Sequence, residues 1–407
     1  MRILHVIPSI DPASGGPVEG IKQFCHIYRS GGHEVEIASM DSPETASGVA
    51  FPAKVHGLGP GFGTYRYTSH AIPWLKENVS RFDIVIVNCI WQYNAVAAHR
   101  ALSGTGIPYL VFTHGMLDPY FKEQFPLKHL KKIVYWHSFL QKILRDAQTV
   151  CFTCEDEKIL ARQSFSHYQV NETVVPYGTF GPDCDTTVAA EDFLLHWPEL
   201  RGKRLALTLG RIHPKKAVDV LIQGFAATLA EDARWRLVIA GPDQIGCQRE
   251  LEALALNLGV ADRITWTGML KGPLKWGAFA AAEIFVLPSH QENFGIVVAE
   301  ALSCSLPVIL SNRVNIWREI VAYGAGFAGP DTIEGTKASL NRWSSLTGEE
   351  IESMRHRSRQ CFDETFNFRV TSRKLLDTFE RVAQSNPRFR SSVQNSSSHS
   401  EQGAPLT

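Results

Sequence analysis

The chain has 407 residues, of which 44% are hydrophobic and 20% charged, with 41 basic and 41 acidic side chains. That length accommodates two domains of about 150–200 residues, and the balanced charge speaks against a general nucleic-acid binder. No run reaches the roughly 20 apolar residues of a membrane span, and Met1–Ile7 reads as a short strand rather than a secretory leader, so a cytoplasmic protein is expected. Eight cysteines, at 25, 89, 151, 154, 184, 247, 304 and 361, fall largely within apolar runs, as expected of buried thiols in a reducing compartment.

Taken in order, residues 3–7 read as a buried parallel strand. The loop Pro8–Pro17 carries Gly15-Gly16. Val18, Ile21, Phe24, Cys25 and Tyr28 then recur at helical spacing, and Glu34–Ser39 is the next strand. A full Gly-x-Gly-x-x-Gly is missing, and Asp41 is a weak candidate for the acid that ends a dinucleotide unit. The loop is therefore read as one that closes over a ligand held mainly elsewhere. The alternation continues with a strand at Asp83–Asn88, a helix at Trp91–Ser103 and a strand at Pro108–Thr113, which ends in His114-Gly115. Ligands of open α/β sheets collect at the carboxyl ends of strands, which places His114 for function.

Residues 120–145 combine Lys122, Lys128, Lys131, Lys132, Lys142 and Arg145 with Phe121, Phe125, Leu127, Leu130, Val134, Trp136 and Phe139. A basic amphipathic helix of this kind either lies on an anionic membrane or packs on its own domain with a solvated basic rim. Cys151 and Cys154 have Cys-x-x-Cys spacing but lack a second pair or a histidine set, so unligated thiols are expected and no metal. Glu155-Asp156-Glu157 reads as a helix start. A polar, turn-rich boundary covers 181–203, with a short helix near Phe193–Leu200.

The pattern then restarts. Strands are expected at Leu205–Leu209, Trp235–Ala240, Ile264–Trp266, Ile284–Pro288 and Pro307–Leu310. Helices are expected at Ala217–Leu229, Leu251–Leu258 and Ile316–Val321. Ile351–Glu380 is largely helical, and the Ser/Asn/Gln-rich stretch from Ser385 is expected to be disordered.

Two constellations carry chemistry. Gly210-Arg211-Ile-His-Pro-Lys215-Lys216 joins a strand to a helix. Arginine grips phosphate through paired donors and lysine adds a compact charge, so the pair suits a diphosphate. The Walker A spacing is missing, which argues against kinase or ATPase chemistry. The second is His290–Glu300, in which Glu292 and Glu300 bracket Phe294-Gly295-Ile296. Free amides at a helix start make an anion site, and a carboxylate inside an apolar helix is costly unless something binds it. The stretch reads as a site for a ligand with an anionic part and a polyol part. A hydrolase-type acid/base pair is the alternative for the two glutamates, and a helix cap with a solvated turn is the plain one. The nearby Arg/Lys pair favours the ligand reading.

Gly15-Gly16, His114-Gly115, Gly210-Arg211 with Lys216, Gly268-Met269-Leu270, and Pro288–Gly295 within Glu292-x7-Glu300 together resemble the retaining nucleotide-sugar glycosyltransferases of family 4 (glycosyl transferases group 1). The resemblance spans about residues 1–380. It implies an α/β GT-B fold, two Rossmann-like domains facing across a cleft. It places the acceptor domain at 1–185 and the nucleotide-sugar domain at 186–365. A terminal helix would cover 366–384, packing back on the first domain, with the disordered tail at 385–407.

The same resemblance implies roles for the residues. Arg211 and Lys216 would hold the donor diphosphate, and Gly16 would let the first loop approach it. Glu300 would bind the ribose, Leu270 would meet the base, and Glu292 would bind sugar hydroxyls. The amides of Phe294, Gly295 and Ile296 would touch sugar or phosphate, and His114 would lie by the reacting carbon. His114, Glu292, Arg211 and Lys216 form the expected catalytic set. No cofactor is tightly bound and no metal is needed; UDP-glucose is the expected co-substrate, and a saccharide or lipid-linked saccharide is the acceptor. Should the basic segment 120–145 meet a membrane rather than its own domain, that contact would be peripheral, on the inner face of the plasma membrane. Departures are Ala217 where the family often has glycine, Pro17 stiffening the loop after the glycine pair, and phenylalanine for tryptophan near Phe366–Phe368. Alternative functions are a sugar-nucleotide epimerase of the same architecture, which needs no acceptor, and a non-enzymatic nucleotide-sugar-binding scaffold.

Overall fold

The computed structural model describes residues 1–387 and 389. Two parallel sheets organise it. The first contains β1 (Arg2–Ile7), β2 (Glu34–Ser39), β3 (Lys54–Gly57), β4 (Ile84–Asn88), β5 (Tyr109–Phe112), β6 (Thr149–Phe152) and β7 (Glu172–Val174), in the order 3-2-1-4-5-6-7. The second contains β8 (Arg204–Leu209), β9 (Trp235–Ala240), β10 (Ile264–Gly268), β11 (Ile284–Leu287), β12 (Val308–Ser311) and β13 (Gly326–Gly329), in the order 10-9-8-11-12-13. Each sheet reverses its winding beside its first strand, so each unit is Rossmann-like, with a topological switch point at the carboxyl ends of β1/β4 and β8/β11.

The central strands are buried throughout, as parallel strands covered on both faces must be. Val85, Val87, Val111 and Phe152 anchor the first core. Leu237, Ile239, Val286, Ile309 and Trp343 anchor the second. The chain divides into one unit of Met1–Pro176 with the segment from Ser372 onward, and a second of Tyr177–Thr371. The division falls before the expected boundary at 185. Tyr177 belongs to the second unit because its ring packs on Phe294 and Phe368, at 5.5 and 6.2 Å between centroids. The last long helix, Phe368–Ala383, brings Phe379 against Tyr28 and Phe112 of the first unit's core.

Several local expectations are corrected. The turn-rich stretch at 181–203 contains the helix Thr186–His196, which starts because Asp185 accepts hydrogen bonds from the amides of Thr187 and Val188 at 2.8 and 3.2 Å. The helix Gly272–Ala281 is missing from the expected elements; it carries Pro273 in its first turn, where proline is well suited. Pro17 likewise lies in the first turn of the helix Gly16–Ser30 and does not stiffen a loop. The basic segment is broken, into helices Tyr120–Gln124 and Pro126–Tyr135, a π-type turn at Trp136–Leu140, and the helix Gln141–Asp146. The tail stays packed beyond Ser385: Asn386 is buried, and its Nδ2 donates to the Asp83 carbonyl at 3.1 Å. The rest of the stretch expected to be disordered, 388 and 390–407, lies outside the described residues.

Candidate functional site

In the second unit, the expected donor-site residues gather at the carboxyl ends of β8, β10 and β11. After β8 the backbone turns at Gly210, and Gly241, after β9, packs so close that an added Cβ would stand 1.7 Å from the Gly210 carbonyl oxygen. His213 then caps a single 3-10 turn, Pro214–Lys216, its Nδ1 accepting from the Lys215 amide at 3.2 Å. Burial, followed by the charges of Lys215, Arg211 and Lys216, lowers the pKa of His213, so it stays a neutral acceptor. Ala217 ends the turn in the left-handed region, at φ 51 and ψ 43. That is why glycine suits this position, and an L-residue there costs roughly 1–2 kcal/mol.

Lys216 forms an ion pair with Glu292. Both side chains are about four-fifths buried, at 19% and 21% relative exposure. Lys215 repeats the link one residue away, its Nζ donating to Gln291 Oε1 at 3.2 Å, while its carbonyl accepts from the His290 amide at 2.8 Å. The loop after β8 and the loop after β11 are thus laced together. Arg211 remains exposed, touching Gln244 Oε1 at 3.3 Å. The exposed Arg211 guanidinium can receive an anion without giving up a buried contact of its own.

Gly295 caps the helix Ile296–Ser303 in the left-handed region, at φ 70. A Cβ there would press on Glu292 Cγ at 3.1 Å, so glycine serves both backbone and packing. Phe294 turns its ring inward, edge-on to Tyr177 and to Phe366 at 5.5 and 5.7 Å. What Phe294 can offer a ligand is therefore its backbone. Glu300 is buried, and Lys275 Nζ donates to its Oε1 at 2.8 Å. Lys275 lies on the helix Gly272–Ala281, which is missing from the expected elements, so the sequence does not mark it as a site residue. Leu270 is buried in the link between β10 and that helix. The two glutamates therefore have separate lysine partners, unlike a carboxylate pair facing one scissile bond.

In the first unit, Gly15 caps the helix Gly16–Ser30 at φ 78, and a Cβ on Gly16 would meet nothing within 4 Å among the described residues. Packing within the chain does not demand glycine there; close approach of a ligand would. Asp41 is buried and accepts from Ser9 Oγ and the Ile10 amide, both at 2.8 Å, so it braces the loop after β1. Asp118 accepts from the Tyr120 amide at 2.8 Å and starts the helix there.

His114 follows β5 with φ 49 and stacks on Phe112. Its Nε2 meets Asn88 Oδ1 at 3.1 Å. Burial holds its pKa down at about 4, and that of neighbouring His5 at about 3, where the charge of His114 adds to the effect. Glu157, which the sequence offered only as part of a helix start, clamps this loop. Its Oε1 accepts from Thr113 Oγ1 and the Gly115 amide, and its Oε2 from the Thr153 amide and Oγ1, all at 2.7 Å. The clue was a carboxylate facing an apolar helix side, but its partners lie on two other strand ends.

Two Rossmann-like units in one chain match the architecture of the GT-B class of glycosyltransferases. Residues 15–178 match the glycosyl transferase 4-like domain, and residues 196–360 match glycosyl transferases group 1. The chain belongs to the GT-B glycosyltransferase superfamily and is related to the group 1 family. A D-inositol 3-phosphate glycosyltransferase from Geodermatophilus obscurus is 34% identical over 189 residues, 42% of this chain and 39% of that protein. The matched region thus spans about two fifths of that relative's length. Sucrose-phosphate synthase from Thermosynechococcus elongatus superposes with a TM-score of 0.74 at 17% identity, covering 94% of this chain and 99% of the other. Anabaena HepE, crystallised with UDP and glucose, gives 0.74 at 15% identity, covering 94% and 100%. At these identities the two structures testify to the fold.

Proposed function

We propose that the chain is a retaining hexosyltransferase that moves glucose from UDP-glucose to a hydroxyl of a saccharide or lipid-linked saccharide in cell-surface or exopolysaccharide synthesis, without a bound metal. The observation that carries this is the strand-end cluster of the second unit. There, Glu292 and Glu300 each hold a different lysine beside an exposed arginine and a glycine-capped helix start. Carboxylates bind hydroxyls, and guanidinium, ammonium and helix-start amides bind phosphate. A nucleotide sugar needs both kinds of group. The UDP and glucose in the Anabaena protein support the choice of donor.

In this reading Arg211 and Lys216 bind the diphosphate and stabilise the charge that develops on it as the sugar–phosphate bond breaks. Glu300 takes the ribose, Leu270 borders the base, Glu292 takes the sugar hydroxyls, and the amides of Phe294, Gly295 and Ile296 touch sugar or phosphate. Gly16 and His114 of the first unit are assigned to diphosphate and sugar. The acceptor oxygen bonds to the anomeric carbon on the face the phosphate leaves, and its proton passes to the departing phosphate oxygen. Configuration is thereby kept without an enzymatic nucleophile.

The helix Pro126–Tyr135 bears on the acceptor's chemistry. Leu127, Leu130 and Val134 share one face, 81%, 61% and 63% exposed, flanked by exposed Lys128 and Lys131. Apolar side chains inside a basic rim complement an anionic lipid surface. The protein would act at the cytoplasmic face of the plasma membrane.

The test is to incubate the protein with UDP-glucose and other nucleotide sugars, candidate polyprenyl-linked and soluble acceptors, and EDTA or none. Acceptor-dependent transfer from UDP-glucose with retained configuration, undiminished by EDTA, is expected. Conversion of the donor without any acceptor would point to an epimerase instead, and nucleotide binding without turnover to a scaffold.

A further inference from the structure

His114 sits at the end of a polar chain buried in the first unit. Asn88, at the end of β4, is fully buried, and so is His5 in the middle of β1. The Asn88 amide group is oriented by a contact that leaves no choice: its nitrogen donates to the Ile86 carbonyl at 3.2 Å, and a carbonyl can only accept. The same nitrogen lies 3.0 Å from His5 Nδ1, so His5 Nδ1 is the acceptor. A neutral imidazole then carries its proton on Nε2, which lies 3.1 Å from the Tyr28 hydroxyl. On the other side, Asn88 Oδ1 is 3.1 Å from His114 Nε2, and that nitrogen must be the donor. The proton of neutral His114 is therefore committed to Asn88, and its Nδ1 carries a lone pair. Among the described residues no hydrogen-bond partner is found for that Nδ1. Asn94 secures the strand end, its Nδ2 donating to the Asn88 carbonyl at 2.8 Å, and Glu157 accepts from the Thr113 hydroxyl and the Gly115 amide, on either side of His114.

We propose that Asn88, backed by His5 and Tyr28, is a positioning residue that holds His114 in the Nε2–H tautomer, so that His114 presents Nδ1 as a hydrogen-bond acceptor to a substrate hydroxyl. The direction of every bond in the relay follows from the Ile86 carbonyl, a fixed acceptor at its centre. The consequence is specific. His114 receives a hydrogen bond from a sugar hydroxyl; it does not donate one to the leaving phosphate or act as a general acid. The structural half of this inference stands on the relay alone, and the substrate half rests on the proposed glycosyl transfer.

The experiment is nitrogen-15 NMR of the histidine rings in the full ligand-free chain at neutral pH, with assignments from His5→Gln and His114→Gln. Both rings are expected as Nε2–H tautomers. Two variants test Asn88. In Asn88→Asp the carboxylate accepts from both sides, so His114 should keep Nε2–H while His5 switches to Nδ1–H. In Asn88→Leu, His114 should become a mixture of tautomers, with its kcat reduced about 10-fold or more and KM for the donor changed less. Single-deoxy donors should identify one hydroxyl whose removal costs the wild type about 10-fold in kcat/KM and costs His114→Phe little. An Nδ1–H tautomer of His114 in the wild type overturns the proposal even if neither variant folds. An unshifted tautomer in Asn88→Leu, or an unshifted His5 in Asn88→Asp, overturns the role of Asn88. The NMR needs neither donor nor acceptor. Absence of transfer with both tautomers as stated would strike the glycosyltransferase reading and leave the relay standing.

Discussion

Glu292→Gln should strengthen the binding of UDP while lowering transfer from UDP-glucose. The Lys216 ammonium is paired with the Glu292 carboxylate, both about four-fifths buried. A diphosphate arriving at Lys216 must share that ammonium with Glu292 and sit near a negative charge. Exposed pairs are coupled by about 0.2–1 kcal/mol, and breaking a fully buried pair costs about 3–5 kcal/mol. A pair buried to this degree belongs between them, at about 1–2 kcal/mol. The glutamine releases that much toward UDP, a gain of about 5–30-fold in affinity at 1.4 kcal/mol per decade. UDP-glucose should gain little, because the lost hydrogen bonds from sugar hydroxyls to a carboxylate offset about 1.5–3 kcal/mol. Isothermal titration calorimetry with UDP and with UDP-glucose, at low and high salt, separates these effects, and the UDP gain should shrink as salt screens the partly open site. Unchanged or weaker UDP binding in Glu292→Gln would refute the idea that Glu292 restrains the phosphate-binding lysine.

Three further outcomes are expected. Arg211→Ala should leave the urea midpoint nearly unchanged, since the side chain is exposed, yet reduce kcat/KM about 10²–10³-fold. Equal losses of stability and activity would assign it a structural role. Glu157→Gln should destabilise by about 3–5 kcal/mol, because an amide nitrogen would face two of the four donors that the buried carboxylate satisfies at 2.7 Å; a change below about 1 kcal/mol in chemical denaturation would contradict that clamp. The last outcome concerns acid. His114 and His5 titrate near 4 and 3 when folded, against 6.5 when free. The unfolded chain therefore binds more protons below pH 6.5, and their contribution, complete above that value, is lost as pH falls toward 4. Each imidazole should add a slope of up to about 1.4 kcal/mol per pH unit. His5→Gln should flatten the dependence of the urea midpoint on pH between 4.5 and 6.5, and an unaltered slope would count against a neutral buried His5.

Much of the molecule is legible along the chain. Apolar runs such as Ile84–Val87 and Ile284–Leu287 announce buried parallel strands because both faces of those strands are covered. The short range of a strand-end loop ties Arg211 and Lys216 to β8, and Glu292 to β11, before any contact is known. Local signals misled where a residue type serves two purposes: Asp185 reads as linker and caps a helix.

What only the tertiary structure decided is which charge meets which. Lys216 meets Glu292 because β8 and β11 are neighbours in the sheet, and Lys275 meets Glu300 because the helix Gly272–Ala281 leads back from β10 to β11, which the helix Ile296–Ser303 follows. His5, Asn88 and His114 are placed on β1, on β4 and just past β5, and they become a hydrogen-bonded line because those strands are neighbours in the sheet. Periodicity reports which face of a strand is buried. It carries no information about which strand lies alongside, and the direction of a proton in a buried relay depends on that neighbour.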